Sequence, residues 1–250
     1  MSKKIQLGES NFFVQETDMS SNYSNVSKMF AFLSNIKIPD APIILDIGAN
    51  IGIYSLSYAS LFKNSNIYSF EPVNSIYQEL INNININSNF TKRIHAFNFG
   101  FSDNCKSMSL SIPTSEQHER YRHNNNCGLF SIHGKGDNTV DAKFITLDSF
   151  MLERGSPNFV DFIKIDVEGH EFEVLKGAEN TITKCKPIIV MEFNELTRTL
   201  SQHSHESFSI FFKKHNYDLF GLEYGWKGLV PLENLKDVSN ISDLVAIYDH

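Results

Sequence analysis

The chain has 250 residues, 41% hydrophobic and 20% charged, with a formal net charge of −7. That length suits one large α/β domain with a sizeable core, and the negative balance argues against a general grip on nucleic acid phosphates. No run approaches the roughly 18 apolar residues a membrane span needs, and Cys105, Cys127 and Cys185 lack paired metal spacing. Polar sequence follows Met1-Ser-Lys-Lys where a secretion signal would place its apolar core, so a reducing cytoplasm is the expected compartment.

Residues 1–40 carry the weakest signal. Val26, Met29, Phe30, Leu33 and Ile36 have helical spacing and predict a helical cap, closed by Pro39 and Pro42. A single domain is expected over 41–250. Its first strand is Ile43 to Ile47, an apolar, β-branched run of the kind covered on both faces of a parallel sheet. Gly48 and Gly52 follow, allowing a tight turn and close approach of a ligand to the backbone. Asn50 stands where the dinucleotide fingerprint needs its second glycine, which disfavours a nicotinamide cofactor. Asp46 at the strand end suits a cationic or hydroxylated ligand better than a phosphate.

Ile53 to Leu61 predicts a helix, and Asn66 to Phe70 a second strand. Glu71 ends that strand about 25 residues after Asp46, a place from which an acid can accept from both ribose hydroxyls; Pro72 follows it. Ile76 to Asn87 reads as a helix with an Asn-rich end, Arg93 to Phe99 as the third strand, and Gly100 to Asp103 as a turn.

Residues 104–147 break the alternation. Met108 to Ile112, Gly128 to Ile132 and Phe144 to Leu147 predict short strands around a polar, unperiodic loop holding His118, Arg120, Arg122 and His123. A loop of that length is either solvated and mobile or a lid. As a lid it would offer Arg120 and Arg122 to an anionic acceptor, whose oxygens match the guanidinium fork.

Phe162 to Asp166 is the fourth strand, Phe172 to Ile182 a helix, and Pro187 to Met191 the fifth strand, ending at Glu192. Side chains alternate along a strand, so Lys164, Asp166 and Glu168 point one way. Asp166 and Glu168 are then near enough to raise a pKa or share a cation. His170 can take a proton near neutral pH, and Glu192 on the adjacent strand closes the group. Lys164 is out of place in an apolar strand and must contact a carboxylate, with Glu192 and Asp46 as candidates. His205 to His215 reads as a helix, and Tyr217 to Leu222 and Leu244 to Tyr248 as the last strands.

Five ordered stretches carry a resemblance: Asp46-Ile-Gly-Ala-Asn-Ile-Gly52, Ser69-Phe-Glu-Pro72, Ile145-Thr-Leu-Asp148, Ile163-Lys-Ile-Asp-Val-Glu-Gly-His-Glu171 and Val190-Met-Glu-Phe-Asn194. The first resembles motif I of class I methyltransferases, and the set resembles the FkbM family of O-methyltransferases over roughly Ile43 to Asn194. The resemblance implies an α/β, Rossmann-like class I methyltransferase fold: a mostly parallel seven-stranded sheet with an antiparallel C-terminal hairpin, helices on both faces, and a β-rich insert between strands three and four. It implies S-adenosylmethionine as cofactor, held by Asp46, Gly48, Asn50, Gly52, Glu71, Pro72 and Asp166. Asp103 would accept from the adenine amino group, and Asn83 and Asn87 would be structural.

A hydroxyl is a poor nucleophile, and methyl transfer to it needs a base or a metal. His170 is the expected base, with Asp166, Glu168 and Glu192 catalytic beside it. Glu192, Arg120 and Arg122 would hold the acceptor; a divalent ion is an open alternative and no metal ligands are assigned. The expected reaction is O-methylation of a sugar hydroxyl, on a nucleotide-linked or glycan-bound sugar of surface polysaccharide biosynthesis. The alternatives are a small non-sugar metabolite or lipid head group as acceptor, or a cofactor-binding module without turnover. Partners are then a small-molecule or glycan acceptor, without nucleic acid.

Overall fold

The computed structural model describes residues 2–7, 10–15, 29, 31–112, 130–153, 155–193, 200–201, 203–223, 228–233, 235 and 241–249. It opens with an antiparallel pair, β1 (Ser2–Leu7) and β2 (Ser10–Gln15). Then come β3 (Ile43–Ile47), α1 (Ile53–Leu61), β4 (Asn66–Phe70), α2 (Asn74–Ile86) and β5 (Ile94–Phe97). A second small sheet is built from β6 (Gly100–Phe101), β7 (Lys106–Ser111) and β8 (Thr139–Ile145), followed by α3 (Leu147–Leu152). The chain re-enters the main sheet with β9 (Phe162–Ile165), then α4 (Glu171–Lys176), α5 (Glu179–Cys185), β10 (Ile188–Glu192) and α6 (His205–Lys214). It finishes with β11 (Tyr217–Glu223), β12 (Leu229–Pro231) and β13 (Ile241–Tyr248).

The main sheet has the order β12-β11-β13-β10-β9-β3-β4-β5. β10, β9, β3, β4 and β5 run parallel, and β13, β11 and β12 are antiparallel. From β3 the chain steps outward through β4 and β5, then returns to β9 on the other side. The order reverses between β3 and β9, which leaves a crevice at the carboxyl ends of those strands. Short β12 extends the expected seven-stranded sheet by one at its edge.

Alternation along the central strands builds two core layers. Leu45, Ile47, Ile163, Ile165, Ile189 and Met191 face one layer, closed by α4, α5 and α6 through Val174, Ile182 and Phe212. Ile44, Phe162 and Val190 face the other, closed by α1 and α2 through Leu56, Ala59 and Leu80. Among the described residues no helix is long and apolar enough to cross a membrane.

Three local expectations change. The single helix over Phe172 to Ile182 is two, parted at Gly177, where a Cβ would lie 2.0 Å from the Ser102 carbonyl oxygen. The strand expected at Phe144 to Leu147 is longer and ends earlier, because Thr146 caps α3 by accepting from the Ser149 N–H at 3.0 Å. Arg93 to Phe99 shortens to β5 in the main sheet, and Gly100–Phe101, expected in a turn, forms β6 beside β8. The loop with His118, Arg120, Arg122 and His123 lies outside the described residues.

The N-terminal segment holds a hairpin where only a helix was expected. Ile5, Phe12 and Val14 bury into the layer of α1 and α2. Asn87 accepts from the Phe13 N–H at 2.8 Å and donates to the Phe13 carbonyl at 2.6 Å. Asn83 accepts from the Gln15 N–H at 2.8 Å and donates to the Ile51 carbonyl at 2.9 Å. Two carboxamides thus satisfy the outer edge of β2 as a neighbouring strand would, and Asn83 ties that edge to the glycine turn. Asn83→Ala leaves a backbone donor and acceptor unmet. It is expected to lower stability by roughly 1–3 kcal/mol in chemical denaturation; a loss under about 0.5 kcal/mol would show that the hairpin docks through its apolar side chains alone.

Candidate active site

The turn after β3 is set by backbone geometry. Gly48, Asn50 and Gly52 have φ of 78°, 51° and 89°. A Cβ at Gly48 would lie 1.8 Å from the Asp166 carbonyl oxygen, so only glycine lets this turn touch the end of β9. The N–H groups of Gly48 and Ala49 donate to the Phe70 carbonyl at 3.0 and 2.9 Å. Glu71 closes over the turn, accepting from the Asn50 N–H at 3.0 Å and the Val73 N–H at 2.9 Å. It is buried, and that burial pushes its pKa up to about 7 against the pull of those two hydrogen bonds. Pro72 follows half-buried, its carbonyl 3.2 Å from the Asn98 amide.

Asp46 lies beneath the turn with no exposed surface. Its carboxylate accepts from the Ser55 hydroxyl at 2.5 Å, and Lys164 is its partner in register. The structure therefore makes Asp46 a core anchor under the turn and does not bring it to the crevice.

Lys164 is buried too, and its ammonium donates to Asp166 at 2.7 Å while sitting 4.3 Å above the Tyr54 ring. Burial alone would lower its pKa; Asp166 and Asp46 outweigh that and raise it. The carboxylate sought by this lysine is thus Asp166, with Asp46 alongside. Asp166, Glu168 and Glu192 each offer an oxygen within 4.8 Å of the others. Burial first, then Asp166 and Glu168, raise the Glu192 pKa well above the carboxylate range. Such oxygens suit a hard cation, but one of the three carboxylates already pairs with the Lys164 ammonium. Fully buried Glu171 braces the turn, accepting from the N–H groups of Gly169 at 3.1 Å and Val167 at 3.3 Å.

His170 does not join these carboxylates. Glu168 and Gly169 both have positive φ, 51° and 97°, and the chain reverses before His170. Its ring lies 3.0 Å from the Ser102 hydroxyl and 3.4 Å from Glu173, whose other oxygen is 2.6 Å from His203. Burial lowers its pKa to about 4, with Glu173 opposing. The expected convergence of four side chains is thus a trio with His170 apart. Asp103 is likewise engaged elsewhere, 3.3 Å from both Lys106 and Lys176. Burial opposes but those ion pairs prevail, and its pKa is lowered. Tyr54, Ser102 and Glu173 carried no signal in the sequence: Tyr54 offers its ring face to Lys164, Ser102 meets His170 at a separation of 68 residues, and Glu173 reaches His203 at a separation of 30.

The order reversal at β3 and β9, with the antiparallel strands beyond β10, is the arrangement of Rossmann-like methyltransferases. Within that class the chain belongs to the family described as the Methyltransferase FkbM domain, which matches residues 46–219. The crystal structure of Methyltransferase FkbM from Methylobacillus flagellatus KT shares the fold, with a TM-score of 0.53 and 17% identity over 86% of this chain and 45% of that one. Methyltransferase sdnD of Sordaria araneosa is 27% identical over 57% of this chain. Hexuronic acid methyltransferase AglP of Haloferax volcanii is 24% identical over 64% of it. The match spans 62% of the length of each of these two relatives.

His170 carries a testable consequence. Because its folded pKa is depressed, it contributes stability that is complete above the unfolded value of about 6.5 and is lost as the pH falls toward about 4. NMR titration is expected to find the ring neutral down to about pH 5; a midpoint near 6.5 would mean that the ring is solvated.

Proposed function

We propose that this chain transfers a methyl group from S-adenosylmethionine to a sugar hydroxyl, on a nucleotide-linked or glycan-bound sugar. One juxtaposition carries the reading: the glycine turn closed by Glu71 meets Asp166, Glu168 and Glu192 across the β3–β9 reversal. The residues fit the cofactor. Glu71 is a desolvated carboxylate with two N–H donors among the described residues, and ribose hydroxyls would add to them. The strand-end carboxylates favour a cationic sulfonium over the neutral thioether left after transfer. Bound there, S-adenosylmethionine supplies the electrophilic methyl group.

On the acceptor side, Lys164 fixes the Asp166 carboxylate, which then orients one hydroxyl. Glu192, whose proton affinity is raised by burial and then by its carboxylate neighbours, takes the proton of the reacting hydroxyl as general base. His170 is reassigned from base to brace, because its ring is held by Ser102 and Glu173 away from the trio. A carboxylate set that can hold adjacent hydroxyls suits a polyol, and likeness to a hexuronic acid methyltransferase supports a sugar.

Calorimetry checks the donor. S-adenosylmethionine is expected to bind, and to bind more weakly as the pH falls through about 7, where Glu71 gains a proton and no longer accepts fully. Glu71→Ala should cost roughly 1–3 kcal/mol of donor affinity; unchanged affinity would remove the ribose assignment. Transfer is read as S-adenosylhomocysteine release with methyl glucuronoside and methyl glucoside as acceptors. Glu192→Gln should lower kcat about 10²- to 10⁴-fold with donor affinity retained, and a wild-type rate would exclude Glu192 as base.

A further inference from the structure

Residues 130–136 lie against both halves of the crevice. Phe130 packs with Val140 on Ile51, Val73 and Ile76 beside the glycine turn. Ser131 pairs with Ser111 at the end of β7, the two residues exchanging N–H to carbonyl bonds of 3.0 Å each. Gly134 folds back over this bridge: a Cβ there would lie 2.0 Å from the Ser111 carbonyl oxygen, and its N–H donates to the Ser131 carbonyl at 3.2 Å. With its backbone so fixed, Ser131 is fully buried. Its hydroxyl accepts from the His133 N–H at 3.1 Å and donates to the Glu168 carbonyl at 2.7 Å.

That carbonyl belongs to a residue in an unusual state. Glu168 occupies the left-handed region, with φ of 51°, without being glycine. Such a conformation is strained and persists when its surroundings over-determine it. The surroundings here are three. Ser131 holds the carbonyl of residue 168, Glu171 holds the N–H groups on either side, and Leu200 lies where a Cβ on Gly169 would be 2.7 Å away. Backbone torsions at residue 168 aim its Cβ, so whatever pins its carbonyl also aims its carboxylate.

We propose that Ser131 is a positioning residue for methyl transfer: its hydroxyl fixes the Glu168 peptide in the conformation that brings the Glu168 carboxylate to Asp166 and Glu192. The inference rests on reading those carboxylates as the acceptor site. It gives the insert between β7 and β8 a role in the chemistry, exerted from 37 positions away in sequence.

Four proteins test it: wild type, Ser131→Ala, Glu168→Gln and the double variant. Turnover is measured as S-adenosylhomocysteine release with methyl glucuronoside, donor affinity by calorimetry, and amide hydrogen exchange on the free protein. Ser131→Ala should lower kcat about 10- to 100-fold, as misplacement of a reacting group does. Its donor affinity should stay within about twofold, since it leaves uniform binding untouched. Exchange at Val167 and Gly169 should accelerate. In the Glu168→Gln background Ser131→Ala should have no further effect on kcat, because the two act through one group. Unchanged exchange, a kcat within about twofold of wild type, or independent effects in the double variant would each overturn the proposal. Glu168→Gln at the wild-type rate removes the acceptor-site reading and the inference with it. Glu168→Gln slow beside Ser131→Ala at the wild-type rate removes the inference alone. Should Ser131→Ala not fold, the rate must follow the hydroxyl, with Ser131→Thr faster than Ser131→Cys; equal rates overturn it.

Discussion

The architecture depends on a backbone contact between two strand ends. At Gly48 the turn leaving β3 comes so near the Asp166 carbonyl that a single methyl group would overlap it. That approach places the glycine turn and the carboxylate turn in one crevice. It is available because β3 and β9 are adjacent parallel strands, paired from Ile44–Phe162 to Ile47–Ile165. The order reversal at this pair sends α1 to one face and α4 to the other, which leaves the crevice between them.

Charge is the second constraint. Asp46, Asp166 and Asp243 surround Lys164, while Asp166, Glu168 and Glu171 act on Glu192. A buried ammonium amid carboxylates is stabilised as the cation, and breaking one such pair leaves an uncompensated charge. Lys164 therefore holds Asp166 in one orientation, while burial and mutual repulsion lift the proton affinity of Glu192. In the proposed reaction these are separate tasks: one carboxylate kept charged to orient, another kept basic enough to accept a proton. The Tyr54 ring lies against the same ammonium and adds a cation–π contact to the pair.

Around this centre the accessory parts act as braces. Asn83 joins the hairpin edge to the glycine turn through Ile51. His170, Glu173 and His203 tie the start of α4 to the segment after β10. Each brace reaches the site through a backbone carbonyl or a buried side chain, and so constrains geometry without facing the crevice itself.

The bounds of β3, α1 and β4 were legible in the sequence alone, because alternation, helical spacing and glycine chemistry are local signals. So were the class of protein, the glycine turn and the acid at Glu71. The adjacency of the fourth and fifth strands was legible as well, and with it the nearness of Asp166 to Glu192; Glu168 was expected there by strand alternation, but β9 ends at Ile165 and residue 168 takes positive φ, so alternation does not account for its place. The direction of His170 was not legible: residues 168 and 169 both take positive φ, and a pattern of residue types does not reveal a chain reversal stabilised from outside. The break at Gly177, the docking of β2 on Asn83 and Asn87, and the hold of Ser131 on Glu168 share that cause. Each is decided by a partner tens of residues away, and such contacts exist only once the sheet has brought distant segments together.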